Sequence, residues 1–151
     1  MKRILDACCG ARMFWFDKNN PDVVFMDRRK VSTMLCDGRQ FVVNPDVIGD
    51  FTDIPYADNW FNMVVFDPPH LIHAGKTSWL ALKYGTIEGD WKDMIRKGFK
   101  ECLRVLKKDG VLIMKWGSDQ ISTKDVLQVL PMQPLFGHRR GKSIFLVFMK
   151  S

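Results

Sequence analysis

An α/β fold built on a doubly wound, mostly parallel sheet is the architecture this sequence predicts, and three observations lead to it. Short apolar runs alternate with segments of helical period. Three of the apolar runs end in an acid, at Asp6, Asp27 and Asp67. A glycine turn at Gly10 follows the first run, the kind of turn that lets a backbone approach a ligand closely. Polar groups gathered at the carboxyl ends of parallel strands mark the ligand-binding edge of such a sheet.

The elements follow in order along the chain. Residues 3–6 (RILD) form a first short strand and residues 7–10 (ACCG) a tight turn. Residues 11–19 are expected to form a short helix, stopped by Asn19-Asn20-Pro21. Residues 23–27 (VVFMD) read as the second strand, and 41–43 as a further short element before the turn at Asn44-Pro45. Residues 47–51 (VIGDF) are expected as the third sheet strand and 62–67 (NMVVFD) as the fourth. The clearest helix spans 90–106, where Trp91, Met94, Ile95, Phe99, Cys102, Leu103 and Leu106 recur at spacings of three and four and make one apolar stripe. Asp90 is placed to cap its start and Asp109-Gly110 to end it. Residues 111–116 (VLIMKW) give a fifth strand and 123–130 a helix stopped by Pro131. Residues 134–137 and 143–150 close the chain as a hairpin around His138-Arg139-Arg140-Gly141-Lys142. The unbroken apolar run SIFLVFMK reads as a central strand buried on both faces.

The 151 residues match one domain, and no linker or repeat suggests a boundary. A chain of this length buries enough surface to fold without disulfide or metal staples. The adjacent pair Cys8-Cys9, with Cys36 and Cys102, offers no CxxC spacing, so reduced thiols are expected. No apolar run approaches the ~18–20 residues that span a bilayer, and no secretory leader is evident. The expectation is a cytoplasmic protein with no membrane partner. A net charge of +6 favours a polyanionic partner.

The turn Asp6-Ala7-Cys8-Cys9-Gly10 holds one glycine, whereas a dinucleotide fingerprint needs three to seat a pyrophosphate. A nucleoside cofactor without phosphate asks less of this turn, and S-adenosylmethionine (SAM) is such a cofactor. Asp27, followed by Arg28, is placed to accept from ribose hydroxyls. Asp50 is placed to accept from the adenine amino group, with Phe51 against the ring. Asp67-Pro68-Pro69-His70 directly follows the fourth strand. Two prolines remove two donors and stiffen the turn. One carboxylate and one rigid carbonyl can then accept both hydrogens of a planar exocyclic NH2.

On these residues the chain resembles the amino-methyltransferases of nucleic acids, whose motif after the fourth strand is [DNS]-P-P-[YFW]. Here the fourth position is His70. More narrowly, it is similar to small phage and prophage methyltransferases, through DPPH, GFKECLRVLKKDG, VLIMKW and the ending PLFGHRRGKSIFLVFMK. The resemblance implies a class I methyltransferase fold: Rossmann-like, with seven strands, the last antiparallel. It spans essentially the whole chain and leaves no separate target-recognition domain. It implies methyl transfer from SAM, with the carboxylate at Asp67 favouring adenine N6 in DNA. Cytosine N4, an RNA substrate, a small amine or amide, and an inactive SAM- or nucleic-acid-binding module stay open as alternatives.

A base reaches such a pocket only flipped or single-stranded. Lys76, Arg139, Arg140 and Lys142 are candidate phosphate contacts, as are Arg28-Arg29-Lys30 and Lys83. Trp79 is the favoured stacking residue, ahead of Trp91 and Trp116. Residues 71–84 are expected to shape the substrate pocket. No ligand cluster suggests a metal. With so little chain for reading sequence, weak sequence preference, a short site or a homodimer that shares recognition is expected.

Overall fold

The computed structural model describes residues 1–70 and 90–151. Seven strands form one sheet in the order β5-β2-β1-β6-β7-β9-β8. They are β1 (Ile4–Asp6), β2 (Val23–Asp27), β5 (Val47–Ile48), β6 (Phe61–Phe66), β7 (Leu106–Gly117), β8 (Phe136–Arg140) and β9 (Ser143–Met149). Strands β5, β2, β1, β6 and β7 run parallel, and β9 lies antiparallel between β7 and β8. The sequence order reverses direction across the sheet at β1, so the crevice outside the carboxyl ends of β1 and β6 is the topological switch point where ligands bind in such folds.

One face of the sheet carries both described helices, α1 (Trp91–Val105) and α2 (Thr123–Val129). Ile95, Phe99, Cys102 and Val105 of α1 join Val126 and Val129 of α2 against Leu5, Val24, Val64, Leu112, Met114, Leu146 and Phe148. Burying each such large apolar side chain contributes roughly 1.5–3 kcal/mol, which is what holds the helices at these positions. Phe99 and Phe148 meet edge to face at 4.8 Å. The stripe read from sequence is therefore the packed face of α1, with Asp90 as N-cap accepting from the Lys92 N–H. The helix ends at Leu106 rather than at Asp109-Gly110. Those two residues instead form an irregular start to β7, with Asp109 at φ 65° and its N–H donating to the Lys150 carbonyl.

Two crossovers differ from expectation. Residues 11–19 form successive turns rather than a helix. Arg12 adopts φ 60°, and its guanidinium donates to the carbonyls of Lys18 and Asn44 while lying 4.0 Å over the Phe25 ring. Trp15 packs edge-on against Phe25 and donates to Asp6. A helix this short is marginal on its own, so these tertiary bonds decide the backbone. Between β2 and β5 the chain forms an antiparallel hairpin, β3 (Val31–Met34) and β4 (Gln40–Val43), of which only residues 41–43 were legible.

Strand β9 also departs from the expected two-sided burial. Leu146 and Phe148 are buried, whereas Phe145 and Met149 are exposed. Both described helices lie on the face that takes Leu146 and Phe148. On the opposite face, Phe145 meets the Phe14 ring at 5.7 Å.

Candidate active site

A cavity of about 300 Å³ opens at the carboxyl ends of β2, β1, β6 and β7. Side chains alternate across a sheet, and the registers put Asp27, Asp6, Asp67 and Lys115 on one face of these four neighbouring strands. All four line the cavity. The strand-end acids noticed in the sequence are thus one row, closed by a cation.

The β1 side is a tied turn. Gly10 sits at φ 51°, a conformation that favours glycine, and its N–H donates to Asp27 Oδ2 at 2.9 Å. Asp27 Oδ1 accepts from the Arg29 N–H at 3.1 Å. A carboxylate has about four acceptor positions, so Asp27 retains capacity toward hydroxyl groups in the cavity. Asp6 is buried and accepts from Trp15 Nε1–H at 2.7 Å and from the Cys8 N–H at 3.3 Å. Burial outweighs those two bonds, and with the nearby Asp67 and Asp27 charges it raises the Asp6 pKa to about 7. Burial likewise pushes the Cys8 and Cys9 thiols up, so neither is a reactive thiolate. All four cysteines are free.

On the β6 side, Asp67, Pro68, Pro69 and His70 all line the cavity. Burial raises the Asp67 pKa to about 6, against the opposing charge of Lys115. His70 is 9% exposed. Its ring stands edge-on to Trp116 at 6.2 Å, and its Nε2 lies 3.7 Å from Asp119 Oδ2. Burial holds its pKa down while Asp119 pulls it up. Gly117 makes room for the ring: a Cβ there meets His70 Nε2 at 2.8 Å.

The structure gathers Asp6, Ala7, Cys8, Gly10, Asp27, Arg28, Phe51 and the DPPH residues around one cavity. Asp50 is not among the lining residues. Its Oδ1 accepts from both the N–H and the hydroxyl of Thr52 at 2.8 Å, so it closes its own turn, and Gly49 and Phe51 line the cavity on either side of it. Trp116, a stacking candidate, is fully buried and donates to the Ile121 carbonyl; it backs His70 instead of facing a ligand. Arg139, Arg140 and Lys142 lie on the exposed β8–β9 hairpin, away from the cavity lining. Lys142 is 3.4 Å from Asp119 Oδ1, and its carbonyl accepts from Ser118, which fastens the basic turn to the end of β7. Lys76, Trp79, Lys83 and the pocket-forming role of residues 71–84 fall outside the described residues.

Sequence reasoning missed Met13, Phe14, Gly49 and Lys115 as lining residues and read Arg29 as a phosphate contact, whereas it lines the cavity; it also missed Trp15 as the donor to Asp6. A signal existed for Lys115, the lone cation in the apolar run VLIMKW. Phe14 and Trp15 had none, because their place depends on how the irregular 11–19 segment folds back.

No protein-family model and no curated protein matches the chain. Solved structures do. The PH0226 protein from Pyrococcus horikoshii superposes with a TM-score of 0.60 at 16% identity, covering 99% of this chain and 83% of that one. A TehB-like SAM-dependent methyltransferase from Corynebacterium glutamicum gives 0.60 at 16%, covering 99% and 80%. The N-methyltransferase NodS from Bradyrhizobium japonicum gives 0.58 at 12%, covering 99% and 85%. The fold is that of the class I SAM-dependent methyltransferases. At such identities the likeness concerns the fold, and the chemistry is argued from the site. Among the described residues no helix is long and apolar enough to cross a membrane.

Proposed function

We propose that this chain transfers a methyl group from SAM to an exocyclic amino nitrogen of a nucleobase, with adenine N6 in DNA favoured. The observation that carries the reading is that the Asp67-Pro68-Pro69-His70 turn and the Asp6–Gly10–Asp27 turn line one cavity. A cofactor held by the second would therefore face an acceptor held by the first.

The residues present fit SAM. Three carboxyl groups, Asp6, Asp27 and Asp67, share the cavity and offer acceptors to a hydroxyl-bearing nucleoside. Asp27 would hold the ribose hydroxyls and Phe51 would flank the base. When bound, SAM supplies an activated methyl group, and the protein's contribution is position and electrostatics. Asp67 and a carbonyl of the stiff Pro68-Pro69 turn accept the two hydrogens of the amino group, which fixes its plane and turns its lone pair toward the cofactor side. Fixing two reactants in line can supply ~7–11 kcal/mol of a barrier. The Asp67 carboxylate also stabilises positive charge growing on nitrogen, and the proton leaves after transfer. The likeness to phage-type amino-methyltransferases supports this acceptor through the same DPPH residues. Exposed Arg139, Arg140 and Lys142 supply phosphate contacts for a strand whose target base is flipped or unpaired.

The decisive assay incubates the protein and labelled SAM with DNA, RNA and free nucleosides, then identifies the modified nucleoside by mass spectrometry. Label is expected in N6-methyladenine from DNA, reduced ~10²–10³-fold by Asp67→Ala. Equal labelling by that variant refutes the mechanism. A second reading, a SAM-binding module without turnover, draws on His70. Its imidazole is packed on Trp116 where the related motif carries a larger aromatic ring. SAM binding with no label in any pool supports that module.

A further inference from the structure

Strand β7 pairs with β6 in parallel, and the last rung joins Phe66 to Met114. The next residues on the two strands are Asp67 and Lys115. Neighbouring strands lie about 4.8 Å apart, and alternation sends these two side chains to the same face. Both line the cavity. The Lys115 ammonium also lies 5.1 Å from the centre of the Phe14 ring, and Phe14 is itself a cavity wall. The cation therefore stands at the cavity wall beside Phe14, although a lysine stem can ordinarily carry its ammonium out to water.

We propose that Lys115 is a positioning residue of the acceptor site, whose ammonium keeps Asp67 ionised so that it can accept from the amino group. This rests on the reading of Asp67 given above.

Burial of Asp67 explains the need. Asp6 faces it from β1 and Asp27 from β2, both acidic. Cys8 and Cys9 stand in the β1 turn, and burial holds their thiols neutral. His70 follows on the same turn, with Asp119 behind it, and burial lowers its tendency to carry charge. Arg28 and Arg29 line the cavity on the β2 side, where Arg29 is paired with Asp27. Burial drives Asp67 toward its neutral form, and Lys115 is the charge that opposes this. A protonated Asp67 would present a donor where the amino group needs an acceptor.

The test titrates the Asp67 carboxyl by carbon NMR in labelled protein without substrate, with Asp67→Asn identifying the signal. The wild-type midpoint is expected at about 6. In Lys115→Met it is expected to rise by about one unit or more, so that below both midpoints about tenfold fewer molecules carry the carboxylate. Lys115→Arg is expected to titrate near the wild type. Thermal melts check folding, and Lys115→Gln replaces the Met variant if that fails to fold. A midpoint unmoved in both neutral variants overturns the proposal, as does an Arg variant that behaves like Met. In the methyl-transfer assay the acid limb of the pH profile should move with the NMR midpoint. Because the titration needs no acceptor, the two readings can fail separately. A moved midpoint without transfer to any nucleobase supports the Lys115–Asp67 coupling and removes the nucleobase reading. Transfer with an unmoved midpoint removes this inference alone.

Discussion

Adding one methyl group at Gly117 should dislodge His70 and, through it, the acceptor side of the cavity. A Cβ at this position lies 2.8 Å from His70 Nε2, 2.9 Å from Cδ2 and 3.1 Å from Cε1. It meets the outer edge of an imidazole that is itself buried, so relieving the contact means moving the ring from its place. Ordinary contact starts at 3.4 Å, so the ring must retreat by at least about 0.6 Å in a packed interior. Trp116 stands on another side of the ring, fully buried and fixed by its bond to the Ile121 carbonyl. Overpacking of this kind costs about 1–3 kcal/mol. At this chain length each kcal/mol lowers Tm by roughly 2–4 °C, so Gly117→Ala should melt several degrees below the wild type. A misplacement approaching 1 Å can cost ~10²-fold in a positioned reaction, so kcat/KM for methyl transfer should fall further than the folded fraction does. Thermal denaturation and single-turnover transfer measure the two effects. The double variant with His70→Ala should recover most of the lost stability, because the clashing ring is gone. An unchanged Tm in Gly117→Ala, or a loss that His70→Ala fails to relieve, refutes the steric argument. A lower Tm with unchanged transfer per folded molecule refutes the role of His70 as a wall of the site.

Stability should also depend on pH in a defined direction. Asp6 and Asp67 have folded-state pKa values raised to about 7 and about 6, so the folded protein holds protons that the unfolded chain releases near 4. Their contribution is fully present below about pH 4 and is lost as pH rises to about 7, and Asp67→Asn should flatten that fall in chemical-denaturation curves. A profile indifferent to the substitution would contradict the burial of the carboxyl. Gly98→Ala places a Cβ 2.5 Å from Phe51 Cδ1 and 2.9 Å from Phe66 Cζ. Its gain of roughly 1 kcal/mol in helix propensity should be outweighed by a clash costing about 1–3 kcal/mol. SAM binding measured by calorimetry should weaken as Phe51 moves, and unchanged affinity would remove Phe51 from the cofactor wall.

Much of this molecule is written locally. The α1 stripe was legible because the same residues that repeat at helical spacing are those that bury against the sheet. The acids ending β1, β2 and β6 were legible because strand alternation and strand ends are short-range properties. The 11–19 segment was not, since its turns depend on Arg12 reaching Lys18 and Asn44 and on Trp15 reaching Asp6. The one-sided burial of β9 was likewise hidden, because its apolar run does not tell which sheet face the helices cover.

For the site, local order along the chain supplies the reactive vocabulary: a glycine turn, three strand-end acids and a proline-stiffened Asp67 followed by His70. These are properties of single residues and their neighbours along the chain. Packing of distant segments makes the acids one row with Lys115 at its end, turns Asp50 back on Thr52, and sets Trp116 behind His70 in the core. Each of those depends on register between strands far apart in sequence or on which side chain wins a buried position, and neither is encoded in any local window.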